Sequence, residues 1–165
     1  MGSMEEELKK VGLAGLEEKQ QIQSRRNENI EKKDIEYKVV EDAEETIKLL
    51  RYKDKNGKPK IALTTSQIRK FLTAVNVVRN KVDLWKVNNK DNNKLSVDLV
   101  MEIKFLKVNL LYQAGREKNV RNFVEKAKLA TIINDIGSDL KKFTNFCKYV
   151  EALVAYHKYY GGEDK

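Results

Sequence analysis

The sequence predicts an all-α fold, a compact helical bundle of about five to six helices with a flexible N-terminal tail. Three observations carry that reading. One proline and eight glycines in 165 residues leave few helix breakers. Charged residues make up 35% of the chain, above the ~25% usual for soluble domains, and apolar residues 41%, a balance suited to long solvated helices. Residues 96–115, SVDLVMEIKFLKVNLLYQAG, repeat apolar side chains at helical spacing between an N-cap signal, Ser96, and a stop signal, Gly115, placed to adopt the left-handed conformation.

Residues 1–33 are read as a tag remnant, Met1-Gly2-Ser3-Met4, followed by a flexible tail. The tail is rich in Glu, Lys, Gln, Arg and Asn and has no aromatic residue. Its weak stripe of Leu8, Val11 and Leu16 offers too little apolar area to offset the entropy of ordering it. Residues 34–165 are read as a single helical-bundle domain. A first helix is expected from Asp34 to about Arg51, with Val40, Ala43, Ile47 and Leu50 on one face and Glu41, Asp42, Glu44 and Glu45 outside. The stretch YKDKNGKPK, residues 52–60, is a turn; its Asn-Gly pair also permits a hairpin of two very short strands, which the poor alternation of both flanks disfavours.

Thr64 with Gln67 forms a capping box, so a helix starts there and buries Ile68, Phe71, Leu72, Val75, Val78, Val82 and Trp85. Arg79 falls inside that stripe and needs a carboxylate or phosphate partner, Asp83 at i+4 being the local one. An Asn-rich loop, residues 86–95, leads to the helix of residues 96–115. That helix shows Leu99, Ile103, Leu106 and Leu110 on one face and Val97, Met101, Phe105, Val108 and Tyr112 on the other, which predicts burial on both sides. Lys104 and Lys107 lie in a polar seam between the faces, where they either snorkel or meet a fixed anion.

One further helix, to about Asn134, buries Val120, Phe123, Val124 and Ala127. Arg116, Lys118 and Arg121 crowd its first turn, against the positive end of its dipole, an arrangement that a docked anion would reverse in sign. Gly137-Ser138 closes it and opens a last helix from Asp139 to about Tyr160, with a core face of Leu140, Phe143, Phe146, Cys147, Val150, Leu153 and Val154. Tyr149, Tyr156 and Tyr160 form a separate stripe with Lys142, suited to base stacking, to a sister protein or to burial against the first helix.

The net charge of +8 is unevenly spread: residues 1–58 carry 13 basic and 14 acidic side chains, residues 59–165 carry 20 and 11. A basic body points to a nucleic-acid partner, with ordinary solubility charge as the plainer explanation. A single cysteine excludes an intramolecular disulfide, and one His with one Cys excludes a His/Cys zinc site within the chain. Cys147 and His157 lie about 15 Å apart along one helix and cannot share a hydrogen bond, so His157 is read as a core residue. No phosphate-binding glycine loop, nucleophile elbow or apolar membrane span is found, which leaves an enzyme with little support and predicts a cytoplasmic protein with no cofactor and no membrane partner.

Three stretches, IALTTSQIR at 61–69, LKVNLLYQAGR at 106–116 and VEALVAYHKYYGG at 150–162, together resemble the small subunit of type III-A CRISPR effector (Csm) complexes. Residues 1–33 have no counterpart in that resemblance. It implies a helical bundle without catalytic activity, whose copies stack in a filament beside the backbone and large subunits. It also implies contact with the backbone of the target RNA, and with the guide RNA only indirectly, where base pairing rather than protein reads the sequence. Carried onto matching positions, the implied contacts are Arg69, Lys107 and Arg116. The charge pattern itself adds Arg79, Lys104, Lys118 and Arg121. Two other classes compete: a helix-turn-helix-like binder of duplex DNA around Gly137-Ser138, and a protein-only structural adaptor.

Overall fold

The computed structural model describes the backbone of residues 4–163; within the first helix it describes the side chains of Leu16, of residues 18–29 and from residue 38 onward. The chain divides into two units, Met1–Lys38 and Val39–Lys165. Helix α1 (Met4–Leu49) lies partly in each. It starts at Met4 rather than near Asp34, the start suggested by the sequence. The side chains of Leu8 and Val11 of the weak stripe, and the tag remnant up to Ser3, lie outside what is described; Leu16 and Ile22 are exposed, in keeping with the small apolar area on offer.

The second unit begins with the last turns of α1, whose Ala43, Thr46, Ile47 and Leu50 are buried while Val40 is exposed. The hairpin that the flanks disfavoured does form: β1 (Arg51–Lys53) pairs antiparallel with β2 (Pro59–Ile61), Tyr52 opposite Lys60. Its turn is held by Asp54, whose Oδ1 accepts from the N–H groups of Asn56 and Lys58 at 2.9 Å each, and Gly57 supplies the positive φ, 74°. Local turn chemistry thus outweighs poor alternation.

Helix α2 (Thr65–Asn88) starts at the predicted capping box, Thr64 Oγ1 accepting from Gln67 N and Gln67 Oε1 accepting from Thr64 N. Its buried stripe is Ile68, Phe71, Val75, Val78 and Val82, with Leu72 and Trp85 half-buried. The loop after it is tied down at its far end: Leu95 N donates to Ser138 O at 2.8 Å and Leu140 N to Asn93 O at 3.1 Å. Helix α3 (Val97–Arg116) is capped by Ser96 and buries Leu99, Ile103, Leu106, Leu110 and Ala114 against α2, α4 and α5. Two expectations fail here. Gly115 is an ordinary helical residue and the helix runs on to Arg116. The second apolar face is open, with Val97 79%, Phe105 56% and Tyr112 60% exposed, so among the described residues α3 is covered on one side only.

The single helix expected after residue 116 is two: α4 (Lys118–Lys126) and α5 (Leu129–Ile136). They part at Lys128, which takes the left-handed conformation at φ 51°. The break lets Phe123, Ala127, Leu129 and Ile133 all be buried, which outweighs the ~1–2 kcal/mol cost of that conformation for a residue with a Cβ.

Helix α6 (Leu140–Tyr159) is capped by Asp139, whose carboxylate accepts from Lys142 N, and packs on α2 and α5. Phe71 meets Phe146 edge-on, ring centroids 6.4 Å apart. The tyrosine stripe goes to burial against α1: the Tyr149 hydroxyl bonds Thr46 Oγ1 at 3.1 Å and donates to Ala127 O at 3.3 Å, and the Tyr160 hydroxyl donates to Glu44. His157 is fully buried and hydrogen-bonds Leu63 O through Nε2 at 2.8 Å, a core residue as read from the sequence. The chain then turns back over it, with Gly162 N donating to His157 O and Thr65 N donating to Glu163 O at 3.0 Å, so this C-terminal strap completes the start of α2.

Candidate nucleic-acid interface

The first turn of α2 presents Arg69 to solvent, just past the capping box. Gln67, one half of that box, donates through Nε2 to Glu117, and Asn119 Nδ2 donates to Ala62 O at 3.0 Å. These two bonds hold the α3–α4 junction, with Arg116 and Lys118, beside the start of α2; Arg69 stands two residues past Gln67, about 200° round that helix. Arg116 closes α3 with its guanidinium 5.6 Å from the Tyr112 ring, a cation–π contact that leaves it exposed.

The crowding of cations at the start of α4 resolves differently from its sequence reading. Arg116 belongs to the last turn of α3, the negative end of that dipole. Arg121 reaches back, donating through Nε to Ala114 O at 3.2 Å and through a terminal nitrogen to Gly115 O at 3.5 Å. Both therefore stabilise the end of α3 rather than oppose α4, and only Lys118 stands at the first position of α4. The α4 N-terminus has no side-chain cap bond.

Further along α3, Lys104 is exposed without a partner among the described residues, about 18 Å from Arg116 along the axis. Lys107 is half-buried, its ammonium donating to Asn134 of α5 at 2.7 Å. Arg79 stands apart. It forms an ion pair with Glu151 of α6, not with Asp83, across the α2–α6 contact. Arg116, Lys118 and Arg121 thus meet at the α3–α4 junction, beside the start of the helix that carries Arg69. Lys104 and Lys107 stand further along α3, Lys107 on its α5 side about half a turn round from Arg116, and Arg79 is paired with α6.

The sequence reading passed over two features. Arg51, Lys53, Lys55 and Lys58 stand exposed on the hairpin, where the run KDKNGKPK was the available signal. The open apolar face of α3 has the spacing of a buried stripe, and nothing in that spacing distinguishes the two. Among the described residues there is no group of three His, Cys, Asp or Glu side chains able to hold a metal ion, and no helix is long and apolar enough to cross a membrane. Cys147 is buried beside Arg79, and desolvation pushes its thiol up to about 12.

The model of the type III-A Csm2 family matches residues 43–163, nearly the whole second unit and all seven basic positions. This chain belongs to the Csm2 family. A curated relative from Streptococcus thermophilus, "CRISPR system Cms protein Csm2", is 38% identical over 125 residues, 76% of this chain and 93% of the relative. Csm2 proteins of Enterococcus italicus and Mycobacterium tuberculosis are 40% identical over 116 residues and 35% over 113, covering 67% and 68% of this chain and 79% and 85% of theirs. Csm2 membership makes the chain a subunit of a type III-A CRISPR effector complex.

Proposed function

We propose that this chain is a non-catalytic small subunit whose copies stack in a filament and bind the sugar–phosphate backbone of the target RNA without sequence specificity, in the cytoplasm, as part of antiviral defence. In this reading it lies against the backbone and large subunits of the complex and meets the guide RNA only through its duplex with the target. The observation that carries it is the set of four exposed cations, Arg69, Lys104, Arg116 and Lys118, along the start of α2, α3 and α4, none of them held by a carboxylate among the described residues. Lys107, on the α5 side of α3, and Arg121 are likewise not neutralised by a carboxylate, their partners being neutral. Phosphate contacts of this kind position a strand and carry no sequence information. The open apolar face of α3 supports stacking of copies, because a contiguous apolar stripe on a soluble protein marks a contact surface.

The duplex-DNA alternative fits the geometry poorly: Leu140 and Phe143, in the first turn of α6, are 6% and 1% exposed, whereas a recognition helix must show that turn to base edges. The test is competition of single-stranded RNA with duplex DNA for the full chain. Preference for RNA of any sequence upholds the proposal; preference for duplex DNA replaces it with the alternative. If neither binds, alone or in the assembled complex, the chain is a protein-only adaptor.

A further inference from the structure

Between the start of α2 and the second half of α3, closed by α4, lies a cleft of about 240 Å³. Phe71, Leu106, Leu110 and Phe123 give it an apolar lining. Its polar groups are mostly side-chain amides. Gln67 and Glu117 are engaged with one another. The side-chain amides of Asn109 and Gln113, one helical turn apart on α3, have no hydrogen-bond partner among the described residues. Lys70 stands at the mouth, and Arg69 and Arg116 are chain neighbours of the lining residues Lys70 and Glu117.

We infer that this cleft takes a single unstacked base of the RNA strand whose phosphates lie on the basic surface, an inference that rests on the RNA-binding reading above. Single-stranded RNA is held by splaying out bases that pack on aromatic and apolar side chains and hydrogen-bond along their edges. The cleft offers both kinds of contact. It is also slightly below the ~300–1,000 Å³ of drug-sized ligand sites, a scale suited to one ring system. An amide carries a donor and an acceptor, so Asn109 and Gln113 meet an edge of any of the four bases, which preserves sequence independence. An apolar side chain from a neighbouring protein would fill the lining but leave both amides covered and unpaired, at a cost that the base avoids. Glu117 accepts from Gln67 through one carboxylate oxygen.

The experiment compares two oligoribonucleotides of equal length, one bearing bases and one abasic throughout its central tract, binding to the full chain by fluorescence anisotropy. Wild type should prefer the base-bearing strand by about fivefold or more, the lower end of what one stacked base contributes. That preference should disappear in Ala74→Leu, which fills the cleft from its wall, and in Asn109→Ala/Gln113→Ala, which removes one exposed and one half-buried amide with no side-chain bond among the described residues. Equal affinity of wild type for the two strands overturns the inference and leaves backbone binding standing. Equal affinity together with weaker self-association of Ala74→Leu shows that a side chain of another copy fills the cleft, and overturns it too. Failure to bind either strand removes the RNA reading itself, and the cleft assignment with it.

Discussion

Replacing Arg69 and Arg116 together by alanine removes two of the four exposed cations on the proposed RNA surface. Each phosphate neutralised on a single strand releases condensed counterion and contributes about 0.7 to the slope of log K against log salt. Four contacts give a slope near −2.8, so affinity should fall about 50-fold between 50 and 200 mM salt. With two contacts left the slope should be near −1.4 and the same change of salt should cost only about sevenfold. Wild type and variant therefore differ most at low salt and converge as salt rises. Both arginines are exposed and neither holds a carboxylate, so the fold should be kept, with the loss of Arg116 at the end of α3 costing no more than about 1 kcal/mol; circular dichroism checks this. The assay is an anisotropy titration with a labelled single strand at four or more salt concentrations. A variant whose slope equals that of wild type would refute the assignment, even if its affinity were lower, because the lost contacts would not have been to phosphate.

Three further outcomes are expected. Gly162 has no room for a side chain, since a Cβ there falls on the buried His157 imidazole. Gly162→Ala must either overpack that site or lift the strap and break the bonds to His157 O and Thr65 N; each route costs about 1–3 kcal/mol, seen as a lower Tm and faster amide exchange at Thr65, and an unchanged Tm counts against the strap. Cys147 should resist thiol reagents at pH 8 until denaturant is added, because burial pushes its thiol up to about 12. The unfolded thiol ionises first, near 9.0, so the stability this group contributes is complete below that pH and is lost as pH climbs towards 12, which a pH series of denaturant midpoints on Cys147→Ala and wild type would measure. Met101→Glu with Phe105→Glu, on the open face of α3, should abolish association between copies in sedimentation while changing stability by less than about 0.5 kcal/mol; unaltered association would remove that face from the stacking contact.

Where local chemistry decides structure, the sequence was legible. The Thr64–Gln67 box, the caps at Ser96 and Asp139 and the buried stripes of α2 and α6 follow from side chains a few residues apart. Where a distant partner decides, it was not. The halving of the region after Arg116 depends on what Phe123 and Leu129 must both reach, and no glycine marks the left-handed Lys128. The open face of α3 has the same periodicity as a buried one, because burial by another molecule and burial by the same chain leave one pattern. Of the seven candidate basic residues, the resemblance supplies Arg69, Lys107 and Arg116 and the charge pattern the other four, but neither supplies their company: Arg79 is held by Glu151, 72 positions away, and Arg121 by the end of α3. The cleft of Asn109 and Gln113 brings together three helices, and neither amide stands out in a polar seam.

The bond from Thr65 N to Glu163 O also has a consequence for how the protein is made. The acceptor follows the donor by nearly a hundred residues, so at ~5–20 residues per second it leaves the ribosome roughly 5–20 s later. Until then α2 has its capping box but lacks this partner for its first N–H, and Leu63 O has no imidazole to meet. The start of α2 therefore waits for a segment made nearly a hundred residues later, and its last hydrogen bonds close only after the strap has emerged.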